Sequence, residues 1–217
     1  MRIACLHTAD SNIAVFDEAA KGLQLDSLQI SHIVRSDLLS AAEKAGGLTA
    51  ELTEQTQTAL RSFCNDHDAV LLTCSTLGPS VYGMSAATRT PVIRVDEALA
   101  EQAISQGGRI VVLCAVETTI KPTSELFLNA NAGKESSVEI QLIPNIWGLF
   151  KAGDVNEYFL AIAAAADNAY AQGANVVALA QASMAGAALL VKNGVTPLTS
   201  PVCGLLAAVQ PPQNKVA

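Results

Sequence analysis

Basic residues are scarce in this chain: 13 Lys and Arg stand against 20 Asp and Glu, a formal net charge of −7 with a pI near 4.9. No basic stripe runs through it, which argues against a surface for nucleic acid or anionic lipid, since both need clustered cations. There is no CxxC pair and no Cys/His spacing of a zinc module, and five cysteines at scattered positions form no disulfide framework. Reduced thiols are expected, with Cys5, Cys64 and Cys114 as core packing. MRIACLH is too short for a signal peptide, and Asp167, Asn168 and Gln181 interrupt the alanine-rich stretches that could otherwise pass for membrane spans. A cytoplasmic protein is expected.

What is present is apolar substance: 217 residues at 50% hydrophobic content, enough for one large domain or two small lobes. Its focus is DAVLLTCSTLG, residues 68–78. Ala69 to Leu72 form a continuous apolar run bounded by charge before and by Gly78 and Pro79 after, the pattern of a parallel strand covered on both faces. Ligands of open α/β sheets bind at the carboxyl ends of such strands, so Cys74 and the hydroxyls of Thr73, Ser75 and Thr76 would be presented there.

The flanking segments read as alternating strands and helices. RIACLHTAD opens as a strand with His7, Thr8, Asp10 and Ser11 emerging at its end, and Asn12–Lys21 follows as a helix capped by Asp10 or Ser11. His7 is read either as a satisfied structural histidine or as an acid/base, and His32, inside a strand near 28–34, as structural. Residues 48–63 are a patterned helix with Leu48, Leu52, Thr56, Leu60 and Phe63 on one side. Pro79–Ala87 is expected as a helix or loop, Val92–Val95 as a strand. RIVVLCAVETT, residues 109–119, repeats the opening architecture, and Thr118 and Thr119 either cap the helix that follows or bind a carboxylate. Val138–Ile143 is a further strand, Trp147 and Phe150 are packing residues, and the alanine-rich segment ending at Gly173 is a long helix. NVVALAQASMAGAALLV then runs strand, turn, helix, with Gln181 and Ser183 at the turn.

The DAVLLTCST run resembles the first cysteine motif of the aspartate/glutamate/hydantoin racemase superfamily, where a strand ends in a sequence such as ACNT and the cysteine is a catalytic acid/base. GANVVALAQASMAG, residues 173–186, falls where that family has a second strand ending in a partner cysteine, in a context such as GCTE; here Gln181 stands in its place. The resemblance implies an α/β fold of two similar lobes, each a parallel sheet flanked by helices, with the active site in the cleft between them. The lobes are expected at 1–96 plus 203–217 and at 97–202. It further implies a cofactor-independent isomerase, amino-acid racemase-like, moving a proton at the carbon alpha to a carboxylate, with no metal and commonly as a dimer.

On this reading Cys74 is catalytic, favoured as thiolate by a helix start just after it. Ser183 is a weaker second acid and Gln181 marks the missing cysteine. Thr8, Asp10, Ser11, Ser75, Thr76, Thr118 and Thr119 are the substrate-binding candidates, with the threonine hydroxyls and Ser75 suited to the substrate carboxylate. Ser124 lies near a helix start, Thr199 and Ser200 come near the cleft through the last helix, and Cys203 is read either as structural or as joining them there. Two alternatives stay open because an amide cannot exchange a proton: a decarboxylase of substituted malonates on the same scaffold, or a non-catalytic small-acid binding protein. Too few arginines stand at strand ends to name one that reads a second carboxylate.

Overall fold

Over residues 1–84, 88–193 and 195–210, which the computed structural model describes, the chain divides into two compact units. One is Met1–Ala98 with the described residues from Pro201 on; the other is Leu99–Ser200.

In the first unit the elements follow as β1 (Arg2–His7), α1 (Ser11–Gly22), β2 (Gln29–Val34), α2 (Ser36–Ala45), α3 (Ala50–Phe63), β3 (Ala69–Leu72) and β4 (Val92–Arg94). The strands form one parallel sheet in the order β2-β1-β3-β4. The two central strands carry the long apolar runs: all four residues of β3 are buried, as are Ile3 to His7 of β1. At the edge, β2 begins with exposed and partly buried residues in alternation, as a strand with one paired side allows. Leu6 pairs with Leu72 in this register. Helix α3 starts where Thr49 accepts the N–H of Leu52 at 3.2 Å, satisfying one of the donors that a helix start leaves open. Its buried residues Leu52, Thr56 and Leu60 recur every four positions, and the two leucines pack into a core with Leu6, Val70, Leu72 and Leu77. Truncating a fully buried leucine such as Leu60 to Ala would cost about 2–5 kcal/mol.

The second unit is entered through α4 (Val95–Gln106), continues as β5 (Arg109–Cys114), α5 (Ile120–Ala130), β6 (Ser137–Leu142), α6 (Ile146–Ala152), α7 (Val155–Ala171), β7 (Val176–Leu179) and β8 (Leu198–Thr199), and is left through α8 (Ser200–Val209). Its sheet has the order β6-β5-β7-β8, again parallel throughout. The turn into β5 needs a glycine: Gly108 has φ +77°, and a Cβ there would strike Asn175, whose side chain accepts the N–H of Arg109 at 2.8 Å. Along α7, Ala163, Ala166 and Ala169 are buried with Tyr158 and Ile162, so the alanine content serves close approach to the sheet. Among the described residues no helix is long and apolar enough to cross a membrane.

Both sheets are parallel and flanked by helices, which agrees with the α/β class. Local differences from the expectation are instructive. The segment after β7 is a nine-residue 3₁₀-helix, Ala182–Leu190, longer than such helices usually run; at Gly186 a Cβ would meet the ring of Phe159, so a glycine lets the coil lie against α7. Directly after Cys74 the described residues likewise form no α-helix, but a turn and a short 3₁₀ segment, Gly78–Val81. Of the stretch expected as helix or loop, Ser85, Ala86 and Ala87 lie outside the described residues. Helix α6 and the two-residue β8 were not expected; both are too short to carry a periodic pattern.

Candidate active site

The sheet register gives the first unit a polar edge. β3 ends at Leu72, and Thr73 and Cys74 follow at the carboxyl end, beside Thr8 just past β1. Burial pushes the Cys74 thiol above the ordinary range, and the nearby Asp96 carboxylate adds to that; the Thr8 hydroxyl and the N–H groups of Thr76 and Leu77, hydrogen-bonded to the sulfur, pull the other way. The expected thiolate-favouring helix start is therefore corrected. Two turn amides and one hydroxyl face the sulfur in its place, and they do not outweigh burial, so the resting group is a neutral thiol. Ser75 and Thr76 are half-buried beside it. Asp10 and Ser11 are exposed; Asp10 sits at the N-cap position of α1 without a side-chain capping bond.

Behind Cys74 lies a buried ion pair. Arg94, at the end of β4, donates through Nε and Nη2 to the two carboxylate oxygens of Asp96 at 3.0 and 2.8 Å, and through Nη1 to the Tyr82 hydroxyl at 2.9 Å. Its side chain is 3% exposed. A Cβ on Gly78 would collide with the guanidinium, so the glycine that closes the cysteine turn exists to admit Arg94. Sequence reasoning passed over this arginine; the signal was V-I-R-V-D, a charge inside an apolar strand answered by a carboxylate two residues on.

His7 is wholly buried. Nδ1 shares a hydrogen bond with Thr73 Oγ1 at 2.8 Å, and Nε2 meets His32 Nδ1 at 2.9 Å; His32 Nε2 in turn lies 3.1 Å from Asp17 Oδ1. Burial and the neighbouring His32 push the His7 pKa down to about 4, against a smaller opposing pull from Asp17.

In the second unit β7 ends at Leu179, which pairs with Leu113 as Leu72 pairs with Leu6. Two residues on, Gln181 takes the station that Cys74 takes in the first sheet. Its amide is held at both ends: Oε1 accepts the N–H of Ala115 at 2.7 Å and Nε2 donates to Thr119 Oγ1 at 3.0 Å. Thr119 passes its own proton to the carbonyl of Val116 at 2.6 Å. The buried Cys114 thiol, raised by burial, is partly brought back by Gln181, Thr119 and Thr123. Ser183, for which the sequence showed no partner, shares a hydrogen bond of 3.0 Å with Tyr158. Burial lifts that phenol to about 12, so it stays protonated and is no base for the serine.

The structure separates the threonine pair. Thr119 turns to Gln181, whereas Thr118 is exposed and lines a groove of about 340 Å³ between Ala115–Thr118 and Leu142–Asn145, with Trp147 at its side. Asn145 enters α6 with φ +65°, a conformation asparagine tolerates better than most residues. Trp147 stacks on Phe150 at 4.9 Å. Ser124 lies inside α5 and donates to the carbonyl of Ile120 at 2.8 Å. Thr199, Ser200 and Cys203 are buried.

This arrangement of paired sheets has counterparts among solved structures. An aspartate racemase homologue from Pyrococcus horikoshii OT3 is similar at 14% identity and TM-score 0.67, over 96% of this chain and 97% of that one. An aspartate racemase of Picrophilus torridus gives 10%, TM-score 0.70, 96% and 92%; an allantoin racemase of Pseudomonas fluorescens gives 17%, 0.65, 96% and 89%. These likenesses concern the fold. No curated sequence is similar enough to count as a match. The model of the Asp/Glu/Hydantoin racemase family matches residues 39–209, a span that includes both strand-end stations, and the chain therefore belongs to that family of amino-acid racemase-like enzymes.

Proposed function

We propose that the protein is a cofactor-independent isomerase that moves a proton at the carbon alpha to a carboxylate of a small substrate, with Cys74 as the acid/base. The observation that carries this reading is the setting of Cys74: a lone thiol at the carboxyl end of a buried parallel strand, with the Thr8 hydroxyl and two turn amides directed at its sulfur. Those three donors stabilise the thiolate at the moment it forms, while burial keeps the resting group protonated. Ser75 and Thr76 supply hydroxyls for the carboxylate on which negative charge develops; Ser11 and Thr118 are assigned to substrate binding as further hydroxyls, and Asp10, itself an anion, to a cationic group of the substrate. Ser183 is a neutral hydroxyl that a proton can visit, with Tyr158 as its partner. Small acids are the substrate class, the cytoplasm the setting and a dimer the assembly.

A second reading has its own observation. Gln181 is tied by both ends of its amide and exchanges no proton, while Cys74 rests as a thiol ready to give one. That combination suits a single protonation after loss of CO₂ from a substituted malonate. A protein with neither activity would be a small-acid binder.

Proton NMR in D₂O, with amino acids and substituted malonates offered to the native protein and to Cys74→Ser, tests these readings together. The isomerase exchanges Cα–H and loses optical activity with the native protein alone. CO₂ release by the native protein and not the variant selects the lyase. If both proteins exchange alike, Cys74 is not the acid/base.

A further inference from the structure

On the α1 side of the first sheet, three potential ligands come to one face. Cys5 and His7 are two residues apart on β1, and His32 is the register partner of Cys5 on β2, so strand geometry alone places their side chains together. The Cys5 sulfur and one nitrogen of each ring all lie within 4.8 Å of one another. Of these, Cys5 and His7 are fully buried and His32 is 13% exposed in its side chain.

The outer ends of both rings are already engaged. The carboxylate of Asp17 can only accept, so His32 carries a proton on Nε2 and its Nδ1 offers a lone pair. His7 Nε2, 2.9 Å away, donates to that lone pair, and the Thr73 hydroxyl donates to His7 Nδ1 at 2.8 Å. The same hydroxyl lies 3.1 Å from the carbonyl of Leu6. When it turns to that carbonyl, His7 can carry its proton on Nδ1, and the lone pairs of His7 Nε2 and His32 Nδ1 are both open to a metal ion. An imidazole whose far N–H is held by a carboxylate or hydroxyl, with a thiol next to it, is the environment in which proteins set histidine ligands.

We propose that Cys5, His7 and His32 form a binding site for a zinc-class divalent metal ion, with Asp17 and Thr73 orienting the two rings. Two imidazoles and a thiolate suit borderline transition metals and not magnesium or calcium, which prefer oxygen. On binding, the Cys5 S–H bond gives its proton up to solvent, His7 moves its proton from Nε2 to Nδ1, and the sulfur and the two ring lone pairs so freed form three bonds to the metal. The half-exposed Asp17 marks the side from which the ion enters. The ion would tie β1 to β2 directly beneath α1.

The test is a titration of the full chain, stripped with chelator and kept reduced, with Co²⁺ as the coloured probe. A sulfur-to-cobalt charge-transfer band is expected at one equivalent, unchanged in Cys74→Ser, absent from Cys5→Ala, and bleached when Zn²⁺ follows. Circular dichroism checks that Cys5→Ala is folded. Should it be unfolded, Asp17→Ala, a change at a half-exposed helix position, decides: it is expected to weaken the metal about 10- to 100-fold. No band with the native chain, a band that survives Cys5→Ala, or equal affinity in Asp17→Ala would overturn the site.

Discussion

Cys74 and Gln181 hold the same station in their respective sheets. Each lies two residues beyond a leucine, Leu72 or Leu179, that pairs with the next-to-last residue of the central strand, Leu6 or Leu113. One station carries a thiol under a hydroxyl and two amides. The other carries an amide locked between a backbone N–H and a threonine. The difference between the two units is therefore one of chemistry on a shared topology.

Cys74 is expected to alkylate slowly. Its neutral resting state, imposed by burial, leaves little thiolate at pH 7, and the rate with iodoacetamide should keep rising through and beyond the pH at which a free cysteine levels off. Thr8→Val removes one donor to the sulfur and should move the profile to still higher pH. A profile that levels off below that of free cysteine would contradict the electrostatics described for the site.

Gln181→Ala leaves the N–H of Ala115 without its acceptor and takes from Thr119 Oγ1 the bond it accepts, and should cost about 1–3 kcal/mol in urea unfolding. Gln181→Cys loses the same bonds but places a second thiol at the station. If the isomerase reading holds, this variant racemises the substrate faster than the native chain, a gain that chiral chromatography reads directly.

Arg94 and Asp96 are coupled to Gly78 by contact. Arg94→Ala leaves a buried carboxylate unpaired and should destabilise the fold by about 3–5 kcal/mol. Gly78→Ala pushes the guanidinium off its seat and should cost about 1–3 kcal/mol by overpacking. In the double variant the collision is gone, so the two effects should fall short of additivity in a denaturation cycle.

Tyr158 gives a pH dependence of definite sign. Its pKa is raised by burial from 10.0 to about 12, so the folded chain favours the neutral phenol. The stabilisation, about 2–3 kcal/mol at most, is fully present below pH 10 and is lost as pH rises through 12. Ultraviolet titration of the native protein should show a late-ionising tyrosine that is missing in Tyr158→Phe, and the variant should lose less stability over that alkaline window.

The features legible in the sequence are those with a period or a run. Ala69–Leu72 and Val176–Leu179 announced central strands because burial on both faces demands unbroken apolar residues. Leu52, Thr56 and Leu60 announced a helix face. Cys74 stood out because it ends such a run. What escaped is what only tertiary proximity creates. The pairing of Ser183 with Tyr158 spans 25 residues, and that of Gln181 with Thr119 spans 62; nothing local links either pair. The thiolate expected at Cys74 failed for a related reason, since depth of burial is a property of the packed sheet and a turn replaced the helix that would have supplied a dipole.

The assignment of the last helix to the first unit has a consequence for synthesis on the ribosome. The first sheet is complete when Arg94 emerges, yet α8, where Gly204 lies so close to Val95 that no Cβ fits between them, begins only at Ser200. At typical elongation rates of about 5–20 residues per second, roughly 5–20 seconds separate the two events. During that interval Val95 of the nascent first unit lacks the cover that Gly204 of α8 later gives it, and a chaperone acting on this chain would find an exposed apolar side chain there.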